Sequence, residues 1–199
     1  MNLTLESRIQ RLNEMMDEGR IIRNGWFGID EQGRGTACLL AALSPEAGDA
    51  ENPVFCPAAV MPLWFAHLTP WIDDACSDAE WPRVVRRYAA CAARWAALDD
   101  AAWRRVEIAA RRVSVVEAMS YTSDEQVLAA CRGVLDWLDA HMSEASRASA
   151  KEAAAWEAWA AAARDAAAWE VAARAARDAA AADRITDKIL SALEKECGL

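Results

Sequence analysis

The chain has little of what interrupts a helix and little of what builds a sheet. Across 199 residues there are 8 glycines, 6 prolines, 2 tyrosines and 3 phenylalanines. Every proline lies between Pro45 and Pro82, which confines irregular backbone to that stretch and leaves the flanks free to be helical. Phosphate-binding glycine loops, GxGxxG, GxSxG and HExxH patterns are all missing, and with them the common signatures of nucleotide, serine-hydrolase and zinc-protease chemistry. The six cysteines, Cys38, Cys56, Cys76, Cys91, Cys131 and Cys197, form no CxxC pair and no disulfide-scaffold spacing. They are expected to be buried free thiols, which places the chain in a reducing cytoplasm. The opening "MNLTLESRIQRLNEMMDEGR" is amphipathic and lacks the apolar centre of a signal peptide.

One uncharged run, "NPVFCPAAVMPLWFAHLTPWI" at residues 52–72, is long enough to raise the question of a membrane span. Pro53, Pro57, Pro62 and Pro70 interrupt it, so short, kinked, buried helices are expected instead.

What is present is alanine, arginine and ten tryptophans, a helix-forming composition. Codon usage in a GC-rich genome enriches alanine and arginine together. The net charge of −9 argues against general nucleic-acid binding, which needs cations to displace counterions from phosphates. That charge is uneven. Residues 1–78 carry twelve acidic side chains against five basic ones, whereas residues 79–112 carry eight basic against four acidic.

The periodicity predicts a first helix capped by Thr4, striped by Leu5, Ile9 and Leu12, and ended by Gly19. Asn24-Gly25 and the Asp30–Gly33 stretch are turn signals, so a hairpin or irregular insert is expected near residues 20–37, then a brief helix near Cys38 to Leu43. Three further helices follow. Ser77-x-x-Glu80 opens one with apolar face Trp81, Val84, Val85, Tyr88, Ala92 and Trp95. Asp99 caps the next, carrying Trp103, Val106, Ala110 and Val113. Ser123-x-x-Gln126 opens the third, striped by Val127, Cys131 and Leu138. Short connections favour antiparallel packing. Between Ser143 and Glu196 there is no proline and no glycine. The expected architecture is all-α, with a core domain over residues 1–142 and a long Ala/Trp-rich C-terminal helix over 143–199 that docks on the core, on a partner or on a second copy.

Three constellations are candidate sites. Arg83, Arg86, Arg87, Arg104, Arg105, Arg111 and Arg112, with Trp81 and Trp103, could hold an anionic, nucleotide-like small molecule, because guanidinium forks match phosphate and carboxylate geometry. The alternative is pairing with the chain's own acids. Trp156, Trp159 and Trp169 fall within about 140° of one helical face and form a candidate partner-binding surface, or a packing device. The block "AAAWE" recurs after 13 residues, a spacing that rotates the copies off one face, so it sets up no superhelical seam. His67 with Asp73 and Asp74 has the residue types of acid–base or metal chemistry but no metal-site spacing; Asp73-Asp74 more simply ends or caps a helix. No catalytic residue, metal or cofactor is assigned.

"AAAWEAWAAAARDAAAWEVAARAARDAAAAD", followed by "RITDKILSALEKE", resembles the Ala/Trp-rich helical accessory proteins of bacteriophages and prophages. The resemblance implies a small non-enzymatic interaction protein, of the anti-defence or immunity-inhibitor kind, and transfers no catalytic residue. The expected function is therefore partner binding through a helical surface, with nucleotide sequestration by the Arg and Trp set as the alternative.

Overall fold

The computed structural model of the protein describes residues 3–143 and 178–199. Among them the fold is all-α with one two-stranded antiparallel hairpin, and it closes with a long C-terminal helix. Trp156, Trp159 and Trp169 lie outside the described residues. The chain divides into two compact units, Met1–Leu98 with Leu193–Leu199, and Asp99–Ala192. The cut falls between Leu98 and Asp99, inside the stretch read from sequence as one core domain.

The first unit begins with α1 (Leu5–Asp17). Thr4 accepts the Ser7 N–H as its N-cap. At the other end Arg20 N–H reaches Met15 O at 2.7 Å and Gly19 N–H reaches Met16 O at 3.1 Å, with Gly19 at φ +68°. Those two bonds make a Schellman closure, and they need the left-handed residue that glycine supplies most cheaply. Strands β1 (Phe27–Ile29) and β2 (Gly35–Ala37) then pair antiparallel, Phe27 opposite Ala37 and Ile29 opposite Gly35. Their turn is organised by Asp30, whose Oδ1 accepts the N–H groups of Gln32 and Arg34.

Helix α2 (Leu39–Leu43) is the centre of this unit, and all five of its residues have no exposed surface. Five apolar residues cannot satisfy their own helix ends, so the neighbours do it. At the N-terminal end, Asp73 Oδ2 accepts Leu39 N–H at 3.1 Å and Cys38 Sγ accepts Ala41 N–H. At the C-terminal end, Arg8 donates to Leu43 O at 3.0 Å and Arg11 to Ala41 O at 3.1 Å. An acid at the start and two arginines at the end also match the helix dipole.

Helix α3 (Pro45–Asp49) and a 3-10 turn at Pro53–Phe55 lead to α4 (Leu63–Ala75) and α5 (Trp81–Ala92). The proline-rich run is buried in part: Phe65, Ala66, Thr69 and Ile72 face inward, whereas Val54, Phe55 and Leu63 stand exposed. The expectation of buried helices is corrected there: the 3-10 turn packs on α3 and α4 yet leaves Val54 and Phe55 exposed, and Leu63 is exposed at the start of α4. Pro70 sits inside α4; beside it Thr69 Oγ1 bonds Phe65 O and shares a 3.0 Å hydrogen bond with the fully buried Tyr88 hydroxyl. Tyr88, Phe65 and Trp95 close the core, with Tyr88 and Trp95 edge to face at 5.4 Å between centroids.

The second unit holds α6 (Asp100–Met119), α7 (Glu125–Ser143) and most of α8 (Ala179–Cys197). Asp99 caps α6 by accepting Ala102 N–H at 2.7 Å, as its position predicts. At α7 the cap is Asp124, which accepts Gln126 and Val127 N–H, and not Ser123. Both residues are good caps; the carboxylate one position on reaches the donors. Arg112 and Asp139 pair between α6 and α7 at 2.8 Å. Asp178 caps α8 and accepts the Tyr121 hydroxyl at 2.8 Å. Among the described residues no helix is long and apolar enough to cross a membrane.

Candidate functional site

The arginines singled out from sequence divide between the two units and are largely engaged inside the chain. Arg83 pairs with Glu80 at 2.6 Å, and Arg87 reaches Glu194 through two nitrogens at 2.6 and 2.7 Å. In the second unit Arg104 and Arg111 both hold Glu107, and Arg112 holds Asp139. Arg105 is half-buried on α6, and Trp103 is buried at 8% exposure, so its ring face is not presented to solvent. Arg86 differs. It is exposed on α5 and makes no ion pair among the described residues.

Arg86 and Trp81 share a cleft of about 390 Å³ in the first unit, between the end of α1 and the start of α5. Met16, Ile21 and Val85 form its floor, Trp81 and Pro82 one wall, and Asp17 and Arg86 its charged rim. Spacing explains the α5 contribution, because residues i, i+1, i+4 and i+5 lie on adjoining strips of one helix face. Sequence reading placed Trp81 and Arg86 together. It missed Met16, Asp17 and Ile21, whose approach to α5 depends on the Schellman turn and the chain that follows it.

Trp81 is held from behind. Its Nε1 donates to Asp73 Oδ1 at 2.9 Å, and the Arg23 guanidinium stands 5.9 Å from its ring centroid. Arg23 also closes the C-terminal end of α4, donating to the carbonyls of Asp73 at 3.1 Å, Asp74 at 2.8 Å and Cys76, and pairing with Asp78 at 2.5 Å. Asp73 is 1% exposed. Burial raises its carboxyl to about 6, while the N–H bonds from Trp81 and Leu39 pull it down. The acid read from sequence as capping or ending a helix thus caps α2 from within α4 and ties both to Trp81 of α5.

A second feature is apolar. Phe27, Ile29, Val54, Phe55 and Leu63 are 42, 77, 54, 58 and 50% exposed. Phe27 and Ile29 share one face of β1 by the two-residue period of a strand. The Phe27 ring lies over Gly48 of α3, where an added Cβ would come within 2.5 Å of it. Helix α3 packs on the Pro53–Phe55 turn, which packs on α4, the helix that Leu63 begins. The five side chains therefore belong to contiguous elements. Asp49 and Glu51 are exposed within five residues of Val54 in sequence, and Glu31 within two of Ile29.

Elsewhere the reactive residue types are buried or lie apart from one another. His67 is exposed on α4, whereas Asp73, six residues on, is buried against α2. Among the described residues no three His, Cys, Asp or Glu side chains gather as a metal site. All six cysteines are free thiols, five of them buried. Burial pushes Cys38 up to about 11 and Cys91 up to about 12, which suppresses the reactive thiolate. Comparison with known proteins finds no matching family model, no matching curated protein and no matching solved structure.

Proposed function

We propose that the chain is a non-enzymatic interaction protein whose first unit binds a partner protein through the apolar patch of Phe27, Ile29, Val54, Phe55 and Leu63. The observation that carries this is the exposure of five large apolar side chains on elements packed against one another. Isolated apolar residues on a surface need no explanation, but a contiguous group rimmed by charge is the usual form of an interaction site. The exposed acids nearest in sequence to these side chains are Glu31, Asp49 and Glu51. The partner it fits presents an apolar projection set among lysines or arginines, and charge of that kind speeds and orients the encounter. In its narrower form the reading is that of a bacteriophage or prophage protein inhibiting a host defence component, supported by the Ala/Trp-rich composition of the C-terminal region.

The test is a paired one. Immobilised wild type and an Ile29→Asp, Phe55→Asp variant are challenged with the same host lysate over a range of salt. The expected result is a retained protein that elutes as salt rises and is lost in the variant, whose far-UV circular dichroism is unchanged. Equal retention by both proteins overturns the assignment of the patch. Light scattering of the wild type separates a foreign partner from a second copy.

A further inference from the structure

We propose that the cleft between α1 and α5 binds a small zwitterion with an apolar body, the chemistry of a free amino acid with a large apolar side chain. This site is separate from the apolar patch and uses none of its residues.

Size and lining come first. At about 390 Å³ the cleft lies in the lower part of the ~300–1,000 Å³ range of small-molecule sites. Its floor of Met16, Ile21 and Val85 suits an apolar body and offers little to a phosphate chain. The wall is set before any ligand arrives: the Trp81 nitrogen is committed to Asp73, and Arg23 stands against the ring. Immobilising a side chain costs affinity when binding has to do it, so a pre-set indole is a binding advantage.

The rim then selects the charge. Asp17 and Arg86 are opposite charges on one small cleft, both exposed, yet neither makes an ion pair with the other or with any described residue. The neighbouring arginines of α5 do otherwise, Arg83 taking Glu80 and Arg87 taking Glu194. A carboxylate and a guanidinium that line one largely apolar cleft without pairing match a ligand that carries an ammonium and a carboxylate of its own. The direction follows as well. Asp17 is the last residue of α1, where the negative end of the helix dipole adds to its charge, so the ammonium lies there and the carboxylate meets Arg86.

Three probes separate the possibilities: L-phenylalanine, phenethylamine, which keeps only the cation, and 3-phenylpropionate, which keeps only the anion. Saturation-transfer NMR and titration calorimetry read their binding to the full chain. L-Phenylalanine is expected to bind about threefold more tightly than either half-ligand, since an exposed charge contact is worth a factor of that order. Arg86→Ala should weaken phenylalanine and phenylpropionate about threefold and leave phenethylamine alone, and Asp17→Asn should weaken phenylalanine and phenethylamine and leave phenylpropionate alone. Both side chains are exposed, so circular dichroism of the two variants should match wild type. A half-ligand that binds as well as phenylalanine, binding that neither substitution alters, or no saturation transfer to any probe at millimolar concentration overturns the proposal.

Discussion

Glu46→Ala should destabilise the first unit more than Arg8→Met does, although each removes one half of the same ion pair. The pair is bidentate, at 2.5 and 2.8 Å, but it is buried lopsidedly: the Arg8 side chain is 4% exposed and that of Glu46 39%. Removing Glu46 leaves a guanidinium in the core with only the Leu43 and Leu3 carbonyls. Stranding a fully buried charge costs about 3–5 kcal/mol, and the open side of this pair lowers the expectation to about 2–4 kcal/mol. Arg8→Met keeps an unbranched apolar stem in place and lets the Glu46 carboxylate turn to water. Its main cost is the orphaned Leu43 carbonyl, about 1–2 kcal/mol. The double variant should then be no less stable than Glu46→Ala alone, because methionine removes the stranded charge. Urea denaturation followed by circular dichroism gives the order, and hydrogen exchange of the α2 amides reads the first unit directly. An Arg8→Met cost larger than that of Glu46→Ala, or simple additivity in the double variant, would refute the reasoning.

Asp73 makes the first unit's stability depend on pH. Its folded value of about 6 lies above the ordinary 3.8, so between them the folded state binds more protons than the unfolded chain. The contribution of this group therefore grows as pH falls from neutrality to about pH 4, by roughly 3 kcal/mol if the shift is carried in full. Glu46 works in the opposite sense: Arg8 holds it down to about 2, so its contribution is lost as pH falls below 4.5. Urea midpoints should rise on mild acidification in wild type and stay flat in Asp73→Asn, and an equal rise in both would remove Asp73 as the cause. A thiol-reactive dye on the native protein should label Cys131, the one half-exposed cysteine, and reach the other five only on unfolding; rapid labelling of Cys91 would contradict its burial. Gly48→Ala should cost about 1–3 kcal/mol, since a Cβ there meets the Phe27 ring at 2.5 Å and Ala41 Cβ at 2.8 Å. A variant with an unchanged melting temperature would show that this contact has room to relax.

Local chemistry was readable in advance, and distant pairing was not. Thr4, Gly19 and Asp99 end helices where their side chains or backbone freedom require, and the hairpin turns at the second of its two turn signals, Asp30–Gly33. The Ser123 and Asp124 exchange shows the grain of such reading: adjacent residues with the same capping chemistry differ only in reach. Arginine pairing is another matter. Arg83 finds Glu80 three residues away, but Arg87 finds Glu194 at a separation of 107, and no periodicity in α5 distinguishes it from the unengaged Arg86. The cleft was legible only on its α5 side, since what faces Trp81 is settled by how α1 ends. Asp73 was legible as a residue that caps or ends a helix, but not which helix it caps, because its partners Leu39 and Trp81 flank it from opposite directions in sequence.

The last turns of α8 belong to the first unit, where Leu193 has no exposed surface, Glu194 holds Arg87 and the Cys197 thiol bonds the Cys91 carbonyl. During synthesis Leu98 leaves the ribosome well before those residues exist. At about 5–20 residues per second, the 94 residues between Leu98 and Leu193 take roughly 5–20 s to translate. For that interval the α5 face around Arg87 and Cys91 has no covering segment, and the nascent chain carries uncovered apolar surface. Biosynthesis thus has a vulnerable window of seconds built into the order of the sequence, and a chain that stalls after Leu98 exposes to aggregation and proteolysis what the finished protein keeps hidden.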